Sequence, residues 1–202
     1  FWGDVNLVGE SAFNPVLHLG YTLTSWFTIE GTFGISFSEY LADITNRFNM
    51  DLRTGMTFPD PALGEFDAEH RSLVTMNVGV NALWYPLNMG DRVGRFNPYL
   101  QGGFSRMTYD MNSNYTDGPV STINTALGGG IRFIADELIS IRLDVTLNFN
   151  RLEFTPSRYF ETFAEDTIKI PLITLPDGQQ VTEFEAQDMM ILSWGLGFFA
   201  SF

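Results

Sequence analysis

The chain has 202 residues, a net charge of -13 and no cysteine, which excludes disulfides, thiolate metal sites and cysteine nucleophiles. Its two histidines argue against a multi-histidine zinc site, and the acidic balance argues against a nucleic-acid partner. Charged residues make up only 17% of the chain, whereas soluble domains carry about 25%. No run of about 18 apolar residues occurs, so a transmembrane helix is excluded.

Alternation of apolar and polar residues with a period of two predicts β-strands along most of the chain. The predicted strands cover residues 2–10, 16–24, 27–38, 72–85, 96–109, 122–133, 139–150 and 190–202. Each is near or above the roughly 9–11 residues that a tilted strand needs to cross a bilayer. One residue breaks the pattern: Arg106 falls on the apolar face, which predicts a bulge, a strand end or a loop rim there.

The predicted connections differ in length between the two ends of the strands. Short or moderate connections lie at 12–15, 24–26, 87–95 and 135–137, and long loops lie at about 39–70, 111–121 and 153–186. Within the last loop, Pro176, Asp177 and Gly178 predict the turn of a hairpin. Short turns at one end and long loops at the other are typical of outer-membrane barrels. We therefore predict one domain over residues 1–202, an all-β, eight-stranded antiparallel up-and-down transmembrane β-barrel.

The composition of the two strand faces predicts which face points outward. The polar face consists of Thr, Ser, Asn and Gly with a few charges of both signs, unlike the Lys and Glu coat of a solvated surface. The apolar face carries aromatic residues near the strand ends, as an interfacial girdle would. We expect the apolar face to meet lipid; a soluble barrel that binds a ligand in an apolar interior is the alternative.

Several segments resemble the small outer-membrane barrels of the OmpA/OmpX type. They are residues 81–86 leading into 96–103, residues 128–133 leading into 139–144, and the closing segment 194–202. The closing segment, with Trp194, Phe198 and Phe202, is similar to the family's assembly signal, whose terminal Phe is read by the barrel-assembly machinery. The resemblance covers the transmembrane barrel without the peptidoglycan-binding domain of longer relatives. It implies a place in the bacterial outer membrane, among outer-membrane lipids and lipopolysaccharide.

Charged residues on the polar face are expected to project into the barrel. The interior of an eight-stranded barrel holds little more than side chains, and buried charges there must be paired. We predict an interior ion-pair network of Glu30, Arg142, Asp144, Arg132, Glu10 and His18. The resemblance implies a Glu–Arg gate, here Glu30 with Arg142. A static network that plugs the interior is the favoured interpretation, and a narrow passive channel for small solutes is the alternative.

His70 and Ser72 form a His-x-Ser pair on the apolar face of one predicted strand. Some small barrels that deacylate lipid A use a His-Ser-acid arrangement facing the bilayer, and a strand places residues i and i+2 side by side. No acid is evident on a neighbouring strand, so a lipid-modifying barrel enzyme is the third hypothesis. The glycines at 128–130 lie in mid-strand and form no phosphate-binding loop. We predict no catalytic residue, no cofactor and no metal site.

The two longest predicted loops, about 39–70 and 153–186, are rich in Asp and Glu. Carboxylates suit Ca²⁺ or Mg²⁺, which would bridge them to lipopolysaccharide, but no calcium-loop spacing occurs. Aromatic residues within these loops indicate folded loops or a partner surface. The sequence therefore predicts a non-enzymatic envelope protein of Gram-negative type that acts as a structural or partner-binding component through its acidic loops.

Overall fold

The structure is a computed structural model, and it describes residues 2–50, 57–58, 69–87, 93–111, 116–136, 138–155, 158–163, 166–171 and 184–200. Side chains are described only within 9–41, 70–87, 93–111, 116–136, 138–155 and 184–200. The fold is all-β, as predicted. Within these ranges there is no helix long and apolar enough to cross a membrane.

The strands form one large antiparallel sheet and one small hairpin. In chain order they are β1 (Trp2–Gly9), β2 (Val16–Thr24), β3 (Phe27–Met50), β4 (Thr57–Phe58), β5 (Glu69–Trp84), β6 (Phe96–Met111), β7 (Val120–Ile134), β8 (Ile139–Leu152), β9 (Arg158–Phe163), β10 (Asp166–Pro171) and β11 (Gln187–Ala200). Across the large sheet the order is β1-β3-β5-β6-β7-β8-β11, with β2 and β4 also paired to β3. We call each of these seven positions a row. The rows curl into a half-barrel, whereas β9 and β10 pair only with each other.

The two N-terminal strands lie end to end along one edge of β3. β1 pairs with β3 between Tyr40 and Phe48, and β2 pairs with β3 between Phe27 and Gly34. Because both are antiparallel to β3, they run in the same direction and together occupy a single row. Pro15, which has no N–H to give to a ladder, lies in the interruption between them. The predicted segments 2–10 and 16–24 are therefore two strands but not two rows, and the described sheet has seven rows instead of eight.

β3 is much longer than predicted, and the expected loop from about 39 to 70 begins well inside it. The pairing of β3 with β5 continues without a break through Glu39 opposite Ser72 to Ala42 opposite Glu69. A strand that extends beyond an apolar band can carry charged residues, as β3 does here with Glu39. The other two long loops have nearly their predicted bounds. The last of them contains the hairpin β9–β10, which is not the predicted one, because the predicted turn at 176–178 lies outside the described residues.

The convex face of the sheet is apolar and the concave face is polar, as the alternation predicted. Leu143 and Val145 are each 51% exposed on the convex face, while Arg142, which precedes Leu143 and faces the other way, is 2% exposed. Trp194 on β11 is 80% exposed and Ile123 on β7 is 74% exposed. Among the described residues, three of the four largest fully buried side chains are polar, namely Arg142, Asn124 and Ser140, so the interior of this sheet is mainly polar.

Arg106 lies on the convex face in unbroken register, opposite Val78 on one side and Ile123 on the other. The bulge or strand end predicted there does not occur. An exposed arginine therefore stands directly among apolar neighbours.

The apolar surface of the convex face forms a band of limited height. At the end with short turns it begins with aromatic residues: Trp26 beside Phe27, Trp84 opposite Phe27, and Phe96 beside Phe133. At the other end the outward residues become polar: Glu39, Ser72, Arg106, Ser121, Arg151 and Asp188. Phe96 and Arg106 are ten residues apart on β6. Ten residues of a strand tilted as in a barrel rise about 25 Å.

Candidate functional site

The concave face carries a cluster of charged side chains centred on Arg142. Arg142 and Asp144 are two residues apart on β8 and therefore share a face, and Glu30 reaches them from β3. Nη1 of Arg142 donates a hydrogen bond of 2.6 Å to Oε1 of Glu30, and its Nε donates one of 3.0 Å to Oδ2 of Asp144. One guanidinium thus links two carboxylates in a part of the sheet where Glu30 is 5% exposed. Charge-assisted hydrogen bonds of this kind are the strong ones.

His18 and two aromatic rings complete the surroundings of the guanidinium. Nδ1 of His18 lies 3.3 Å from Nη2 of Arg142 and 3.3 Å from Oε2 of Glu30, and the tautomer of the ring decides which contact is a hydrogen bond. Cζ of Arg142 lies 4.3 Å from the ring centroid of Phe199 and 5.5 Å from that of Tyr99, both within cation–π range. The cluster therefore joins β2, β3, β6, β8 and β11.

The structure brings together four of the six residues predicted for the interior network. Arg132 also faces the interior, but its Nε donates a 2.9 Å hydrogen bond to Ser140 Oγ on the neighbouring strand, and it lies beside Tyr85. Burial raises the pKa of the Tyr85 hydroxyl, which follows the end of β5, so this phenol stays protonated. Glu10 lies elsewhere, exposed beside His70.

The predicted assembly signal lies at the end of β11. Trp194 and Phe198 both point outward from the convex face and are highly exposed. Phe202 lies outside the described residues.

A second, uncharged polar layer crosses the concave face nearer the long loops. Nδ2 of Asn124 donates to Ser105 Oγ at 3.1 Å and to Asn148 Oδ1 at 3.0 Å, and Nδ2 of Asn148 donates to Ser193 Oγ at 3.2 Å. This chain of hydrogen bonds runs from β6 through β7 and β8 to β11. This chain of hydrogen bonds was not predicted from the sequence. The inward positions of the two asparagines in the alternating pattern could have indicated it.

Two inward glycines of β7 allow side chains of β6 to reach β8. Gln101 and Thr146 lie on either side of Gly128, and Nε2 of Gln101 donates to Oγ1 of Thr146 across it. Tyr99 lies beside Gly130 in the same manner, and a Cβ at Gly130 would clash with its hydroxyl and with the Leu143 carbonyl. The glycines therefore make room for a filled interior.

We expect Gly130→Ala to lower the free energy of unfolding by about 1–3 kcal/mol, because the added methyl overpacks the contact with Tyr99. Gly195→Ala is the matched control, since Gly195 also faces inward and has no heavy atom within 4 Å of its Cβ position. Urea unfolding of the refolded protein in detergent measures both. Equal effects of the two substitutions would contradict this account of the glycines.

A separate group of titratable residues lies on the convex face at the edge of the apolar band. Nδ1 of His70 is 3.1 Å from Oε1 of Glu10 and 3.8 Å from Oε2 of Glu39, and all three side chains are exposed. Ser72 also faces outward on β5, directly opposite Glu39. No acid was expected near this His-x-Ser pair, and the structure corrects this expectation, because Glu10 and Glu39 both lie beside His70. Glu10 was expected in the interior and Glu39 in a long loop, so the sequence placed neither of them beside His70.

Comparisons of the chain with protein-family models, curated proteins and solved structures found no match. The functional conclusion therefore depends on the geometry of the chain itself.

Proposed function

We propose that the chain forms a transmembrane barrel of the bacterial outer membrane, of the OmpA/OmpX type. The observation that carries the proposal is the inverted polarity of the sheet. Trp194 and Ile123 are 80% and 74% exposed on the convex face, while Arg142 is 2% exposed on the concave face. A water-soluble barrel needs the opposite arrangement, because large exposed apolar surfaces aggregate in water.

The height of the apolar band supports the same proposal. The band of about 25 Å matches the apolar belt of outer-membrane barrels, which is flanked by aromatic residues at the membrane interfaces. Trp26, Trp84 and Phe96 supply such residues at the end with short turns, and each is exposed. The two longest connections, from β3 to β5 and from β8 to β11, lie at the opposite end, as is usual for the extracellular side.

Closure of the barrel requires the two free edges of the sheet to be paired, because lipid offers no hydrogen bonds to the backbone. β2 and β11 form these edges near the short turns, and they run in the same direction because they are the first and the last of seven antiparallel rows. The rings of His18 on β2 and Phe199 on β11 lie 5.7 Å apart inside the curl. One further strand, antiparallel to both edges, would make the eighth row of an up-and-down barrel.

The proposed role is that of a non-enzymatic envelope component with a plugged interior. Arg142, Glu30 and the aromatic rings fill the lumen near the short turns, and the asparagine layer fills it nearer the loops. The acidic loops, in a chain with a net charge of -13, would contact the cell exterior or other envelope proteins. The barrel-assembly machinery would act as a partner during insertion.

The experiment that tests this proposal is expression with an export signal, followed by membrane fractionation and gel electrophoresis with and without boiling. We expect the protein in the outer-membrane fraction, with a faster-migrating folded band that disappears on boiling. A monomer in the soluble fraction with no such shift would contradict the proposal and favour the soluble barrel.

The group around His70 favours a second candidate, a lipid-modifying hydrolase. A carboxylate at Nδ1 of His70 orients the ring as in a Ser-His-acid triad, and Ser72 faces the bilayer at the height of ester bonds. It ranks second because no hydrogen bond joins Ser72 to His70 among the described contacts. We expect the purified protein to release no fatty acid from lipid A. Release that Ser72→Ala abolishes without loss of folding would replace the first candidate with this one.

A further inference from the structure

Two arginines face outward at the upper edge of the apolar band. Arg106 on β6 lies opposite Ile123 of β7, and extending the register of β7 and β8 by one residue places Ile123 opposite Arg151. A 2.6 Å hydrogen bond from Thr122 Oγ1 to the Arg151 carbonyl supports this register. The two arginines are thus two strand spacings apart, about 10 Å. Among the strand residues whose side chains are described, no other arginine faces outward.

A shallow groove of about 660 Å³ adjoins Arg106 on the convex face. Its outward lining consists of Val78, Val80, Phe104, Arg106, Ser121 and Ile123. The lower part of this groove is apolar, and its upper part presents a guanidinium and a hydroxyl. The described carboxylates form no ion pair with Arg106, whereas Arg151 lies opposite Asp188 in the ladder.

We propose that this groove binds a membrane lipid with an anionic phosphate head group, an inference that rests on the proposed membrane location. The phosphate contacts Arg106, with Arg151 as a second cation, and an acyl chain lies against Val78, Phe104 and Ile123. Guanidinium groups pair with phosphate oxygens through two parallel hydrogen bonds.

Charge and height both support a lipid as the occupant. The chain carries a net charge of -13, so an anionic lipid is repelled over most of the surface and attracted only where cations face outward. Arg106 lies about 25 Å above the aromatic residues of the opposite end, which is the level of phosphates at the far interface. A free phosphate ion would use the arginines alone and leave the apolar part of the groove uncovered.

The test uses the full chain reconstituted in nanodiscs of phosphatidylcholine that contain a fraction of phosphatidylglycerol. Lipids that remain bound after mild extraction into detergent are counted by native mass spectrometry. We expect enrichment of phosphatidylglycerol in the wild-type protein. Arg106→Gln should reduce the enrichment about fivefold, and the double variant Arg106→Gln, Arg151→Gln up to about 30-fold. Glycerol phosphate added at the same concentration should not displace the lipid.

Arg95→Gln is the matched control, because Arg95 is exposed in the connection before β6 and its loss changes the net charge equally. The inference is overturned if phosphatidylglycerol shows no enrichment, if Arg95→Gln has the effect of Arg106→Gln, or if glycerol phosphate displaces the lipid. The boiling-dependent gel shift is measured for every variant. A folded band in nanodiscs without lipid selectivity overturns only this inference, whereas failure to insert overturns the membrane proposal itself.

Discussion

Replacing Arg142 with alanine should lower the free energy of unfolding by about 3–5 kcal/mol, because it leaves the buried Glu30 and the half-buried Asp144 without their cation. Urea unfolding of the protein in detergent or lipid vesicles measures the effect. Arg95→Ala is the control, and its exposed position predicts a change within about 0.5 kcal/mol. A similar small change for Arg142→Ala would show that the charged cluster does not hold the sheet together.

Adding Glu30→Gln and Asp144→Asn to Arg142→Ala should recover part of the lost stability, because the unpaired charges are then removed.

Conductance measurements on the Arg142→Ala variant distinguish a plugged interior from a gated channel. In planar bilayers the plugged barrel predicts no sustained conductance for the wild-type protein. Sustained wild-type conductance that Arg142→Ala alters would support the narrow channel instead.

Replacing Val145 with arginine should cost about 2–4 kcal/mol in lipid vesicles, although Val145 is 51% exposed. Val145 lies near the middle of β8 on the convex face, so the charge would stand at the bilayer midplane. Ser121→Arg is the matched control at the edge of the apolar band, where the expected cost is about 0–1 kcal/mol. In a soluble protein both exposed positions would tolerate arginine within about 0.5 kcal/mol. Equal small costs would therefore contradict a lipid-facing surface.

Strand positions and side-chain orientation could be predicted from the sequence because both depend on a local pattern. The alternation in 139–150 placed Val145 on one face and Arg142 on the other, and β2 has the predicted bounds. The number of rows could not be predicted in this way. Alternation shows that 2–10 and 16–24 are extended, but it does not show whether the chain reverses at Pro15.

The composition of the candidate sites depended on contacts distant in sequence. Glu30 and Arg142 are 112 residues apart, and they were paired beforehand only through a family resemblance. Glu10 was assigned to the interior by counting alternate residues, but Gly9 lies opposite the buried Tyr40, so the next residue, Glu10, faces outward. The glycines at 128 and 130 were placed in mid-strand from the sequence. That Tyr99 and Gln101 lie beside them follows only from the register of β6 and β7.

The fluorescence of Trp194 gives the most direct measurement of which face of the sheet meets lipid. In a variant whose other three tryptophans are replaced by Phe, Trp194 is the sole emitter, and it lies outward near the middle of β11. We predict strong quenching by lipids brominated near the ends of their acyl chains and almost none by aqueous iodide. Strong quenching by iodide, with no effect of the brominated lipids, would show that the apolar face is not in contact with acyl chains.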